Sequence, residues 1–281
     1  MTHPAPRSPG AARTAFIGGG NMARSLIGAL LRGAASPDAI AVAEPDAALR
    51  EALERDFGVA VHAGNSDAAR DAGTIVLAVK PQVMQTVCTG LAPIVADRLP
   101  LVISIAAGIR LDQLQHWLGT ELPMVRAMPN TPALIGAGIS GLIANAKADA
   151  DQRARAEAIL AAAGRTVWIE REELMDTVTA VSGSGPAYFF LLVEALEDAA
   201  VAQGLPRATA RSLATLTCLG AGRMLTEGAG TPAELRKRVT SPGGTTQAAL
   251  DTFADAGFPN TVARAVEAAT ARGRELSDRL S

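Results

Sequence analysis

Through about residue 170 the chain alternates short β-branched or apolar runs with Ala- and Leu-rich stretches of helical period, and beyond that point the β signal stops. This alternation limits the possible folds more than any single motif does. Residues 14–18, 41–43, 59–62, 74–79, 101–105 and 124–127 are the strand candidates, and residues 21–32, 46–57, 82–96 and 111–118 carry apolar positions three and four apart. A βαβ alternation predicts a parallel sheet with helices on both faces. Residues 139–144 and 166–169, separated by a helix at 149–163, are expected to finish that sheet.

After residue 170 the chain reads as helices divided at Gly204-Leu205-Pro206, residues 228–231, residues 241–244 and Gly257-Phe258-Pro259. Segments such as Tyr188-Phe189-Phe190-Leu191-Leu192-Val193 are apolar over wider arcs than one thin helical layer can bury, so a large subunit interface is expected. The fold class is therefore α/β: an N-terminal doubly wound sheet followed by an all-α half. The expected division is a flexible leader at 1–13, a sheet domain at 14–170 and a helical domain at 171–281.

Composition removes several classes of function. The 281 residues are 48% hydrophobic and 19% charged, as in a compact globular protein, and a net charge of -2 with scattered Lys and Arg excludes a nucleic-acid partner. Cys88 and Cys218 lie far apart with no ligand spacing, which fits a reducing compartment and argues against a metal. The longest uncharged run, residues 177–193, falls short of the roughly 20 residues a membrane helix needs. Residues 1–13 hold three prolines and no apolar core of a secretory signal. The expected location is cytoplasmic, without membrane attachment.

Phe16-Ile17-Gly18-Gly19-Gly20-Asn21-Met22-Ala23 follows a strand and opens a helix, with Gly18, Gly20 and Ala23 in the small-residue places of a dinucleotide turn. Gly18 permits the turn, Gly20 lets backbone approach a pyrophosphate, and the helix N-terminus faces the phosphates. Glu44, at the end of the second strand, is where a carboxylate hydrogen-bonds the ribose 2′-OH of NAD and repels a 2′-phosphate; the other reading is a solvated strand-end charge. Ala78-Val79-Lys80-Pro81 ends another strand, where open sheets present ligands, and Lys80 is either turned to the cofactor or a snorkelling surface lysine. Ser241-Pro242-Gly243-Gly244-Thr245-Thr246 joins two glycines and two hydroxyls to a helix start without a titratable group. It reads either as a clamp for a small carboxylate or as ordinary helix-capping turn chemistry.

Six ordered segments give the chain a wider resemblance: Phe16 to Met22, Leu77-Ala78-Val79-Lys80-Pro81-Gln82, Ile103-Ser104-Ile105-Ala106-Ala107-Gly108-Ile109, Val125-Arg126-Ala127-Met128-Pro129-Asn130-Thr131-Pro132, Ser182-Gly183-Ser184-Gly185-Pro186-Ala187-Tyr188 and Val239 to Thr246. From about residue 14 to 276 the chain resembles the pyrroline-5-carboxylate reductase family. The resemblance implies an NADPH- or NADH-dependent reduction of the C=N bond of Δ1-pyrroline-5-carboxylate to L-proline. It also implies an N-terminal Rossmann-type, dinucleotide-binding domain at 14–170 followed by an all-α dimerisation and substrate domain at 171–281, and an interlocked dimer with shared active sites, such dimers often assembling into decamers.

By the same resemblance, the loop of Ser241, Gly243, Gly244 and Thr245 holds the substrate carboxylate, and the Thr246 hydroxyl bonds the ring nitrogen as the catalytic group. The cofactor lies across Ile17, Gly18, Gly19, Gly20, Asn21 and Met22, the strand end at Ala78, Val79, Lys80 and Pro81, and Asn65. Met128 and Asn130 are expected beside the nicotinamide or the pyrroline. Ser184 is read as a wall of the substrate pocket, the other reading being the capped start of a core helix. Arg126 is read as structural. Many relatives carry a small hydroxyl residue where this chain has Glu44, so the carboxylate leans the expectation towards NADH. A β-hydroxyacid dehydrogenase is disfavoured, because no lysine base follows Gly183-Ser184-Gly185.

Overall fold

The computed structural model describes residues 13–33, 35–228 and 230–279, so all of the expected leader except Arg13 lies outside the described residues. An eight-stranded sheet is built from β1 (Arg13–Ile17), β2 (Ile40–Ala43), β3 (Ala60–His62), β4 (Ala72–Leu77), β5 (Leu101–Ser104), β6 (Met124–Met128), β7 (Gly138–Ala144) and β8 (Gly164–Trp168), in the order β3-β2-β1-β4-β5-β6-β7-β8. The first six strands have the doubly wound order, reversing between β1 and β4, and all their pairings are parallel.

The expected all-parallel sheet needs one correction: β6 and β7 are antiparallel, with Val125 opposite Ala144 and Met128 opposite Gly141. A parallel neighbour requires a crossover long enough to return to the same sheet end, and here only a short 3₁₀ turn, Thr131–Ile135, links the two strands. The crossover helix after β7 restores parallel pairing of β8.

Helices α1 (Asn21–Gly33), α2 (Ala47–Phe57), α3 (Asn65–Ala69), α4 (Pro81–Arg98), α5 (Leu111–Leu118), α6 (Ala150–Ala161) and α7 (Met175–Val178) cover the sheet. Because every strand residue alternates faces, the sheet carries two cores. On one face Ile17, Ile75 and Leu77 meet Met84, Cys88 and Leu91 of α4 and Leu114 of α5. On the other, Phe16, Val42 and Val76 meet Leu26 and Ile27 of α1, Leu53 of α2 and Leu160 of α6. Burial pushes the Cys88 thiol up to about 12, so it stays protonated and inert as core packing. Asp46 starts α2 by accepting the Leu49 N–H at 3.0 Å.

The remaining helices are α8 (Gly185–Ala202), α9 (Arg207–Thr226), α10 (Pro232–Arg238), α11 (Thr245–Asp255) and α12 (Phe258–Arg279). The chain divides into two compact units, Ser184–Ala268 and the rest, so the sheet unit takes in both the segment before Ser184 and the end of α12. Within the helical unit, α8 and α9 form a hairpin tied by Glu197, whose carboxylate accepts from Arg211 at 3.0 Å twice and from Arg207 at 3.0 Å. The Arg211 guanidinium holds the Glu197 carboxyl below the usual glutamate range. Phe189, Phe190 and Leu191 of α8 and Leu213, Leu216 and Leu219 of α9 are 55–67% exposed in the single chain.

Residues 177–193 were expected to be too short to span a membrane. The structure strings 3₁₀, α, π and α turns, with a bend at Ser184, into the stretch Glu172–Ala202, which has the length and hydropathy of a candidate span.

In the centre of the sheet the Thr74 hydroxyl is fully buried, with no hydrogen-bond partner among the described residues. Thr74→Val removes an unsatisfied polar group at nearly constant shape. The variant is expected to be about 1 kcal/mol more stable, read as a higher midpoint in thermal or urea unfolding; an unchanged or lower midpoint contradicts the assignment.

Candidate active site

The C-terminal ends of β1, β2 and β4 are knitted together by main-chain hydrogen bonds. Gly18 N–H donates to Ala43 O at 2.8 Å and Ala78 N–H to Ile17 O at 2.8 Å. Gly18 adopts φ +100, and a Cβ there would lie 2.8 Å from the Ala78 carbonyl, so the turn from β1 into α1 is open only to glycine. Beyond it, Gly20 faces open space and the first acceptor bond of α1 runs from Arg24 N–H to Gly20 O at 2.9 Å. The Asn21 and Met22 amides are thus first-turn donors without helical acceptors, at the positive end of the helix dipole. A cradle closed to any Cβ at Gly18, with unpaired N–H groups beyond it, fits a dinucleotide pyrophosphate.

Glu44 stands at the expected strand end, and its surroundings correct the reading of a solvated charge. The residue is 8% exposed. One carboxylate oxygen accepts the Gly19 N–H at 2.8 Å and the other the Asp46 N–H at 3.0 Å. Arg50 donates one guanidinium nitrogen to the carbonyls of Glu44 and Pro45 at 2.7 and 2.8 Å. The carboxylate therefore braces the glycine turn. Each oxygen keeps a lone pair for a ribose hydroxyl, while Arg50 is anchored to main chain through one guanidinium nitrogen.

Around this edge lie the other expected cofactor residues. Ala78 and Val79 are half-buried beyond β4, Lys80 is exposed as the residue capping α4, and Pro81 opens that helix. Asn65 is half-buried as the first residue of α3. Met128 ends β6. The Asn130 side chain is 9% exposed and committed at both ends, its amide donating to Ser182 O at 3.1 Å and its oxygen accepting Ile139 N–H at 3.0 Å. The Asn130 side chain thus braces main chain through both its nitrogen and its oxygen.

Arg126 has the structural role expected of it. Its side chain is 4% exposed and meets Glu172 at 3.1 Å and Asp176 at 3.7 Å. Glu172 also accepts the Leu111 N–H at 2.9 Å, fixing the start of α5. A neighbouring cavity of about 500 Å³ is lined by five acids and three arginines, a net negative wall that does not suit an anionic dinucleotide. Neither Glu172 nor Asp176 was singled out in the sequence, where both sit in an unremarkable acidic stretch.

In the helical unit, Gly243 has φ +70 and Gly244 precedes α11. The Gly244 N–H donates to Ser241 O at 3.0 Å, closing the turn, so this amide is not available to a substrate as expected. The first helical bond of α11 runs from Ala248 N–H to Gly244 O at 3.2 Å, so the first-turn amides of Thr245, Thr246 and Gln247 have no helical acceptor. Thr245 is exposed and Thr246 half-buried, and Ser241 and Gly243 are exposed. Ser184 precedes α8 without a side-chain capping bond. Among the described residues, no group of three or more His, Cys, Asp or Glu side chains is placed to hold a metal ion.

Comparison with known proteins covers both units. Residues 172–276 match the family described as pyrroline-5-carboxylate reductase dimerisation, and residues 13–108 match a family described as NADP oxidoreductase, coenzyme F420-dependent. The pyrroline-5-carboxylate reductase of Pseudomonas aeruginosa is 48% identical over 95% of this chain and 98% of its own length. The solved structure of the enzyme from Coxiella burnetii superposes with a TM-score of 0.91 at 40% identity, over 95% of this chain and 98% of that one. The Plasmodium falciparum pyrroline carboxylate reductase, solved with NADP bound, gives a TM-score of 0.83 at 29% identity with the same coverage.

Replacing Gly18 by Ala forces a Cβ against the Ala78 carbonyl in a backbone region costly to side chains. Dinucleotide affinity, measured by calorimetric titration, is expected to fall at least about tenfold; native affinity contradicts the geometry.

Proposed function

The chain belongs to the pyrroline-5-carboxylate reductase family, and on that premise we propose how its own residues carry the family's reaction. Its activity is the NAD(P)H-dependent reduction of the C=N bond of Δ1-pyrroline-5-carboxylate to L-proline, the last step of proline biosynthesis. The observation that carries the assignment is identity extending through both units rather than through the dinucleotide half alone. The sheet unit is NADP-binding in type.

When bound, the reduced dinucleotide supplies the hydride. The chain's part is to hold and aim. In our reading, Asn21 and Met22 amides at the α1 N-terminus take the pyrophosphate, with Ile17, Gly18, Gly19 and Gly20 forming the turn beneath it. The strand end at Ala78, Val79, Lys80 and Pro81, with Asn65 and Met128, borders the rest of the cofactor. The substrate carboxylate is held at the start of α11 by the amides of Thr245 and Thr246, where the helix dipole favours an anion. Ser241 and Gly243 shape that loop, Gly244 closes it, and Ser184 contributes to the wall. The Thr246 hydroxyl orients the ring nitrogen and stabilises its proton. A protonated imine carbon is already electrophilic, so aiming it replaces a strong general base.

Glu44 sets the cofactor preference in this proposal. A carboxylate fixed by two main-chain N–H groups cannot turn away from the adenosine ribose, so a 2′-phosphate there meets a stationary negative charge. NADH is then used at least as well as NADPH. The exposed apolar surface of α8 and α9 is covered by a second subunit, interlocked with the first from residue 171 onwards, and the enzyme works in the cytoplasm. That cover, rather than lipid, accounts for the hydropathy of Glu172–Ala202, because this stretch lies wholly within the part that matches a dimerisation family.

Loss of dihydronicotinamide absorbance with Δ1-pyrroline-5-carboxylate tests the reading. We expect turnover with both cofactors and kcat/KM for NADH equal to or above that for NADPH. A strong NADPH preference removes the role of Glu44, and full activity of Thr246→Ala removes the role of Thr246. Light scattering is expected to give at least a dimer mass, and Phe190→Asp to lower it; a native monomer contradicts the subunit cover.

A further inference from the structure

Between α7 and α8 the chain makes a π-helical turn, Thr179–Gly183. Such turns are less stable than α-helix and recur at functional positions. Here the Thr179 and Ser182 hydroxyls donate to the carbonyls of Met175 and Val178 at 2.9 and 2.8 Å, so the widened turn is held from within. From outside it is held by Asn130, whose amide nitrogen donates to Ser182 O while its oxygen accepts from Ile139 at the start of β7. One side chain thus fixes the loop after β6, the start of β7 and the π turn to one another.

The turn delivers Gly183 against the end of β6. A Cβ at Gly183 would lie 2.6 Å from the Met128 methyl and 3.5 Å from Thr179 Cγ2, so the thioether rests on the bare α-carbon. Methionine is the most adaptable of apolar side chains and would otherwise sample several rotamers. Met128 stands at the C-terminal edge of the sheet, on the β4-β5-β6 side of the reversal between β1 and β4. In a doubly wound sheet the two halves of a dinucleotide lie on opposite sides of that reversal, and β2, with Glu44 beyond its end, takes the adenosine side. Met128 is therefore on the nicotinamide side.

We propose that Asn130 is a positioning residue for hydride transfer: by clamping the π turn through Ser182, it pins Met128 under Gly183 as a fixed wall of the nicotinamide site. The inference rests on the reductase reading above. It assigns Asn130 no contact with cofactor or substrate, and it gives the π turn a purpose, since a regular α-helical turn would not present Gly183 in the same register.

The test uses the full chain with Asn130→Asp, Asn130→Ala and Gly183→Ala. Asn130→Asp keeps an acceptor for Ile139 N–H and replaces the donor to Ser182 O with a repelling oxygen. Gly183→Ala displaces the Met128 methyl and leaves both Asn130 hydrogen bonds in place. Each folded variant is expected to lose about tenfold in kcat, the scale on which small misplacements near a reacting centre act, while the dinucleotide dissociation constant changes by less than about twofold. The isotope effect on kcat with 4-deuterated dihydronicotinamide is expected to grow as hydride transfer becomes slower. Native kcat in folded Asn130→Asp, or kcat and cofactor affinity falling together, overturns the proposal. If both Asn130 variants fail to fold, Gly183→Ala decides: slowed transfer with native cofactor affinity supports the pinning of Met128, and a native rate overturns it. Absence of turnover by the native protein overturns the reductase reading and this inference together, whereas native turnover unaffected by these substitutions overturns this inference alone.

Discussion

The contact between the Gly18 turn and the Ala78 carbonyl governs the rest of the sheet unit. It lies where the strand order reverses between the parallel neighbours β1 and β4, with a glycine at φ +100 facing a carbonyl oxygen that any Cβ would strike. The Gly18 and Ala78 amides are both used in joining neighbouring strand ends, and Glu44 draws the next amide, that of Gly19, towards β2. The edge is consequently stiff before any ligand arrives, and the first-turn amides of α1 are left without helical acceptors. Preorganisation of this kind lowers the ordering cost of binding an anion. Leu53 closes the arrangement from below, its methyl lying where a Gly19 Cβ would have to go.

Much of this was legible in the sequence. Strand and helix alternation gave six parallel strands in their correct places, and the glycine-rich turn announced itself through its neighbours. Breaks at Gly204-Leu205-Pro206 and Gly257-Phe258-Pro259 separated helices where expected, because glycine and proline act on the backbone locally. What escaped were features decided by distant partners. The direction of β7 depends on whether its connection crosses the sheet, and periodicity in the strand itself is the same either way. The Glu44 carboxylate reads as a ribose ligand from position alone, and its grip on Gly19 N–H appears only when β2 is set beside β1.

The substrate loop shows the same limit at a finer scale. Two glycines and two threonines before a helix correctly indicate a set of available amides, yet which amides are available depends on the turn that the glycines form. Gly243 at φ +70 lets Gly244 N–H reach back to Ser241 O, removing one donor and leaving the first-turn amides from Thr245 to Gln247. Asn130 is a further case: a polar residue in a strand-end loop reads as a ligand, whereas burial with both ends engaged makes it a brace.

The end of α12 belongs to the sheet unit. Gln113 donates to Ser277 O at 3.2 Å, Arg110 pairs with Asp278 at 3.1 Å, and Gly273 lies close enough to Asp176 that a Cβ would fall 3.3 Å from it. The chain leaves this unit after Gly183 and re-enters it at Ala269. The helical unit is thus an insertion in the first, not an appendage to it. During synthesis the sheet strands emerge early, but the α12 segment that packs on their unit emerges only after every residue of the helical unit. A ribosome-bound chain therefore holds all eight strands through the translation of the whole insertion before the piece that rejoins them is made.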